Sequence, residues 1–192
     1  MKEIVRLISV LTVICAASGS LMAFVNDMTK GRIAEAKAAR KIKAMRSVLP
    51  EFNNDPINDT VTISTDDISW IFNIAKNDDG FAGTAFVATS PEGYGGDITV
   101  MVGLNADGTI KSYEILPPMK ETPGLGAKIA DKSSVLYKAI TGKHISKTNW
   151  KVKKDGGEID EITAATISSR AVINAIKDGI DVYLANEEKI TQ

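Results

Sequence analysis

Residues 7–24 read LISVLTVICAASGSLMAF, a run without a single charged side chain. A hydrocarbon core of roughly 30 Å calls for about 20 consecutive apolar residues in a helix, so this run is close to the length of a membrane span. A segment this apolar does not belong to the same water-soluble unit as the residues after it, and the chain is expected to be one modest folded domain with an appendage. A cleaved signal peptide is the competing reading, because Lys2 and Arg6 precede the run and Ala16, Ala17, Ser18 and Gly19 lie in it; length favours the anchor. Orientation is less direct. Lys30, Arg32, Lys37, Arg40 and Lys41 follow the run, and charge counting alone would keep the rest of the chain in the cytoplasm.

Residues 31–49, GRIAEAKAARKIKAMRSVL, are rich in alanine and long unbranched side chains and predict a helix that Pro50 ends. Ile42, Met45 and Leu49 share one face of it; the basic side chains face water, or lipid headgroups as the minor reading. The chain thus divides into three parts: an anchor over 1–29, a helical linker over 30–55 and a folded domain over 56–192. Within that domain the turn-rich Asn53-Asn54-Asp55-Pro56 leads into strand-like pieces at 60–64, 69–74 and 81–89. Ile98, Val100, Val102 and Leu104 alternate with their neighbours, and Asn105-Ala106-Asp107-Gly108 turns the chain into a partner strand at 110–116. Helices are expected over 127–141 and 168–185, the second with Val172, Ile176, Ile180 and Tyr183 in one stripe. The fold class is therefore α+β, a small antiparallel sheet with packed helices behind an N-terminal membrane helix and linker.

With 23 basic and 24 acidic residues the chain has no charge excess to attract nucleic acid, and none is expected as a partner. Cys15 cannot form an intrachain disulfide, and one histidine, His144, offers no zinc constellation; no metal is expected. Cys15 reads as a small apolar residue of its segment, lipid modification being the weaker alternative.

Two segments carry candidate chemistry. Glu121-Thr122-Pro123-Gly124-Leu125-Gly126 is a loop whose glycines admit close backbone approach and whose Glu121 and Thr122 offer polar groups; by itself it is equally a structural turn. Asp160-Glu161-Ile162-Thr163-Ala164-Ala165-Thr166-Ile167-Ser168-Ser169 stands where the last helix should begin. Thr163 and Thr166 fit there as caps, and Asp160 as a complement to the helix dipole. Such a helix start also suits a phosphate, and Arg170, one turn beyond Thr166, reads equally as a charge-assisted contact to it or as a solvated surface side chain.

Together with the apolar start, the Gly93-Tyr94-Gly95-Gly96 turn and the hairpin, these segments resemble the FMN-binding domain family. That family includes the flavin subunit of Rnf-type respiratory complexes and the C subunit of sodium-translocating NADH:quinone reductase; the order of motifs and the length of 192 residues lie nearer the former. Its motif is Asp, two residues, Ser or Thr, Gly, Ala, Thr, with the last threonine esterified to FMN. Asp160, Thr163, Ala165 and Thr166 match it, and Ala164 stands where the family has glycine.

The resemblance implies a membrane-anchored electron-transfer subunit with FMN bound covalently through Thr166. Thr163, Ala165, Ser168 and Arg170, with Glu121, Thr122, Gly124, Leu125 and Gly126 of the loop, would lie about the flavin, and no residue would be catalytic. It further implies a ferredoxin:NAD oxidoreductase complex that moves ions, membrane subunits as partners, a flavin transferase for maturation, and a domain outside the cytoplasm, against the charge count. Two other readings stay open: an anchored module that binds a ligand or partner without redox function, and a domain that holds FMN without a covalent bond.

Overall fold

A computed structural model describes residues 1–65 and 68–191 of the chain. They fall into two units, 1–40 and 41–192. The first is helical from Lys2 onward and exposed along its whole length. It contains the uncharged run, long and apolar enough to cross a membrane.

Helix α1 runs over Lys2–Val48, taking in the uncharged run and the helix expected over residues 31–49. No proline interrupts residues 25–30, the Thr29 hydroxyl bonds back to the Val25 carbonyl at 2.8 Å, and Lys30 pairs with Asp27 at 2.5 Å. Gly31 alone costs only about 1 kcal/mol in a helix interior.

The second unit is built on a five-stranded sheet, β1 (Thr60–Thr65), β2 (Ile68–Asn77), β3 (Gly80–Ser90), β4 (Ile98–Asn105) and β5 (Ile110–Leu116), antiparallel and in chain order. The alternation read at residues 98–104 is the β4 half of the expected hairpin, with Val102 opposite Tyr113. Side chains on the two sheet faces differ in size, and this decides what covers each. Trp70, Phe72, Ile74, Phe86, Val100, Val102 and Leu104 form a bulky face buried under helix α3 (Thr166–Ala185). Val172, Ile176, Ile180 and Tyr183 of α3 are buried there, the stripe the sequence predicts. Gly179 lies so close to the sheet that a Cβ on it would strike the Phe86 ring. Truncating an aromatic side chain buried like Phe86 costs about 3–5 kcal/mol.

On the opposite face stand small residues, Gly83, Ala85 and Gly103, with Ala75 and Met101. They admit the end of α1, whose Met45 and Val48 are buried there beside Leu49. A Cβ on Gly103 would collide with the Val48 carbonyl, and one on Gly83 would come within 2.8 Å of the Pro50 ring. Lys111 reaches across to donate to the Leu49 carbonyl at 2.6 Å, satisfying a terminal acceptor that the helix cannot.

Between β5 and α3 the chain is mostly loop. Instead of the single helix expected over 127–141 there is a short 3-10 helix, Gly126–Ala130, and then α2, Val135–Ile140. Local side chains cause the interruption: Asp131 accepts from the Ser133 backbone N–H at 2.7 Å, and Ser134 caps α2 by accepting from Tyr137. The 3-10 helix is fixed by buried Ile129, whose carbonyl accepts from the Tyr113 hydroxyl at 2.9 Å. A last short helix, α4 (Glu187–Thr191), follows α3.

Gly103→Val forces a branched side chain into the Val48 carbonyl and should lower stability by about 1–3 kcal/mol, the usual range for overpacking. Urea unfolding of the two proteins side by side checks this; equal midpoints would show that the end of α1 does not need this close approach.

Candidate functional site

The two chemistry-bearing segments meet in one cavity of about 510 Å³, lined by Tyr94, Glu121, Thr122, Leu125, Gly126 and residues 164–168. The volume is within the range of about 300–1,000 Å³ typical of small-molecule and cofactor sites.

A buried carboxylate holds the segments together. Glu121 accepts from the Ser168 hydroxyl at 2.5 Å through one oxygen and from the Gly95 N–H at 3.1 Å through the other. One side chain thus joins the 93–96 turn, the 121–126 loop and the first turn of α3. Gly126 is part of this joint, since a Cβ there would overlap the Glu121 carboxylate and stand 3.0 Å from the Ser168 hydroxyl. Both carboxylate oxygens are engaged, so Glu121 supports the wall of the cavity and is not placed as a free acid or base.

The start of α3 is held open. Its N-cap position is Ala165, which has no side chain to cap the first N–H groups, and Thr166 is the first helical residue. The capping expected of Thr163 or Thr166 is not made at this N-cap. Ser169 fixes the turn from inside: its hydroxyl accepts from the Ile162 N–H at 3.1 Å and donates to the Ala165 carbonyl at 2.9 Å. The exposed N–H groups and the helix dipole make this terminus receptive to an anion. Thr166, half-buried, presents its hydroxyl beside it. Tyr94, Leu125 and Ile167 add largely exposed apolar surface around the same opening, suited to a flat aromatic ring.

Ala164 has φ of 63°, the left-handed conformation. This explains the glycine of the family pattern in physical terms: the turn into α3 requires positive φ, and alanine adopts it at a cost of about 1–2 kcal/mol. The same turn separates two threonines that the sequence places close together. Thr163 is exposed and lines a different cavity, with Lys128 and Asp131, while Thr166 lines the first.

Arg170 also leaves the cavity. Its guanidinium makes a two-pronged pair with Asp155, at 2.7 and 2.8 Å, and lines a separate small hollow with Lys151 and Asn174. This hydrogen-bonded guanidinium holds the Asp155 carboxyl below the ordinary carboxylate range, so the pair persists above that range and is lost as pH falls through the lowered value. Asp160 pairs with Lys153 at 2.7 Å. Gly124, at φ of 77°, shapes the loop without lining the cavity. Sequence reasoning did not single out Lys154, whose ammonium donates to the Thr166 hydroxyl at 3.3 Å and pairs with Glu161 at 3.4 Å. Ser169 was likewise not separated from the other hydroxyls of its segment.

The 93–96 turn, the 121–126 loop and the start of α3 that line this cavity fall within residues 93–181, which match the FMN-binding domain family. The chain is 32% identical over 190 residues to the G subunit of the ion-translocating oxidoreductase complex of Vibrio atlanticus, covering 94% of this chain and 90% of that protein. It is 37% identical to the subunit of the same name from Escherichia coli, over 87% of this chain and 84% of that one. The chain belongs to the family of G subunits of ion-translocating oxidoreductase complexes. Among solved structures, the C subunit of the Na(+)-translocating NADH-quinone reductase from Parabacteroides distasonis shares the fold, with a TM-score of 0.51 and 22% identity over 72% of this chain and 78% of that one.

Ala164→Gly removes the left-handed strain and should raise stability by about 0.5–1 kcal/mol, the relief being offset by the greater freedom of glycine in the unfolded chain. Thermal unfolding of the flavin-free protein reads the change; a lower melting temperature would show that the alanine side chain contributes packing that outweighs its strain.

Proposed function

We propose that this chain is a membrane-anchored electron-transfer subunit of an Rnf-type ion-translocating ferredoxin:NAD oxidoreductase complex, with FMN attached through a phosphoester to Thr166. The observation that carries the reading is the convergence of the 121–126 loop, the uncapped start of α3 and the Thr166 hydroxyl on one cavity. These residues fit the group. The helix terminus accepts the phosphate, and Tyr94, Leu125 and Ile167 offer apolar surface to the ring. Flavin, when bound, supplies one- and two-electron redox chemistry, and the protein supplies binding, orientation and electronic tuning.

In this reading Thr166 is a tether. Glu121, Gly126, Ala165 and Ser168 shape the wall against which the flavin lies, with Thr122, Gly124 and Leu125 on the loop side. Thr163 and Arg170, also expected beside the cofactor, line other hollows and are left out of this wall. Attachment is the work of a separate flavin transferase with FAD as donor: the Thr166 oxygen takes the FMN phosphorus, the bond to AMP breaks, and the hydroxyl proton is lost. Residues 7–24 are retained as a single-pass anchor, other membrane subunits of the complex are the partners, and the flavin domain lies outside the cytoplasm. A helix-terminal hydroxyl on the cavity, hydrogen-bonded only as an acceptor from Lys154 among the described residues, favours this reading over a redox-silent binding module and over loosely held FMN.

Thr166→Val keeps the shape and branching of the side chain and removes the reacting oxygen, so covalent flavin should be abolished with the fold largely retained. Tandem mass spectrometry of protein co-expressed with a flavin transferase locates FMN less one water on the Thr166 peptide; flavin persisting on Thr166→Val would overturn the attachment. Topology has its own test. In right-side-out vesicles added protease should digest the domain beyond the anchor, and full protection would place it inside.

A further inference from the structure

Lys154 lies on a short 3-10 turn, Lys153–Asp155, twelve residues before Thr166 in the chain. Each residue of this turn pairs with the segment that begins α3: Lys153 with Asp160, Lys154 with Glu161, and Asp155 with Arg170. A backbone bridge between Val152 and Ile159 supports the arrangement, and Gly156, left-handed at φ of 79°, sends the chain back. The turn is thus clasped beside the helix start by contacts that leave the Lys154 ammonium 3.3 Å from the Thr166 oxygen.

We propose that Lys154 is the positioning cation of the flavin attachment site, holding the Thr166 hydroxyl for transfer and then neutralising the phosphodiester formed on it; this rests on the attachment at Thr166 proposed above. The chemistry sets the requirement. An ammonium that donates to a hydroxyl oxygen leaves that oxygen's proton free to depart and stabilises the negative charge that grows on it. Once the bond to phosphorus has formed, the resulting diester carries one negative charge within reach of the same ammonium. Arg170 is one helical turn from Thr166 but commits both prongs of its guanidinium to Asp155, whereas Lys154 has one weak pairing, at 3.4 Å to Glu161, besides its contact to Thr166. Glu161, much less exposed than the lysine, aims the ammonium without displacing it.

The test uses the full-length chain in detergent, free of flavin, incubated with purified flavin transferase and FAD. The initial rate of flavin appearance on the Thr166 peptide is followed by mass spectrometry across a range of FAD concentrations. Lys154→Gln should slow attachment at least tenfold at saturating FAD, and Lys154→Arg, which keeps the charge, should recover at least a third of the wild-type rate. Lys153→Gln removes a neighbouring member of the same clasp and should stay within threefold of wild type. A Lys154→Gln rate within threefold of wild type overturns the proposal, as does an equal loss in Lys153→Gln, which would mean that the clasp and not the charge matters. Failure of Lys154→Arg to recover overturns it too. If the wild-type chain takes flavin at another residue, the attachment at Thr166 is what has failed, and this proposal goes with it.

Discussion

The seating of α3 on the bulky face of the sheet fixes the walls of the cavity. Gly179 lets the helix approach until it touches the Phe86 ring, and the buried stripe from Ala171 to Tyr183 leaves it one rotational setting. Because side chains on a helix are related by fixed rotation, that setting also brings Ser168 to Glu121 and Thr166 to the opening, while Arg170, on the same face one turn on, is drawn off to Asp155. The loop opposite is referenced to the same sheet through Tyr113 and Ile129, so both walls of the cavity share one foundation.

The other face of the sheet obeys a complementary constraint. A helix end packed on a sheet needs small residues beneath it, and Gly83, Ala85 and Gly103 supply them while their strand neighbours Thr84, Phe86, Val102 and Leu104 point to the opposite side. The two-residue period of the strands therefore carries two messages at once, large side chains for α3 and small ones for α1.

Much of this was legible in the sequence where the pattern is local. The alternation at residues 98–104 and the stripe of the last helix follow from periodicity alone, and the meeting of the 121–126 loop with the 160–169 segment followed from resemblance to a known family. What escaped was decided by contacts distant in sequence or by backbone conformation. Helical spacing places Arg170 one turn from Thr166, but spacing does not name its partner, and Asp155 lies fifteen residues away. Left-handed Ala164 parts Thr163 from Thr166, an effect no count of intervening residues reveals. Lys154 comes to the site only through the clasp with residues 160–170.

The four hydroxyls at the start of α3 are not equivalent. Ser168 is engaged with Glu121, Ser169 is held on both its donor and acceptor sides by the backbone, and Thr163 lies along a different hollow. Among the described residues Thr166 has a single side-chain contact, with Lys154, which uses its oxygen as an acceptor and leaves its proton unclaimed. On the proposed attachment at Thr166, site selection in a crowded row of serines and threonines would require no discrimination between similar side chains by the modifying enzyme. The folded chain would make the choice beforehand, by occupying or turning away the three competitors, and selectivity would be a property of the substrate.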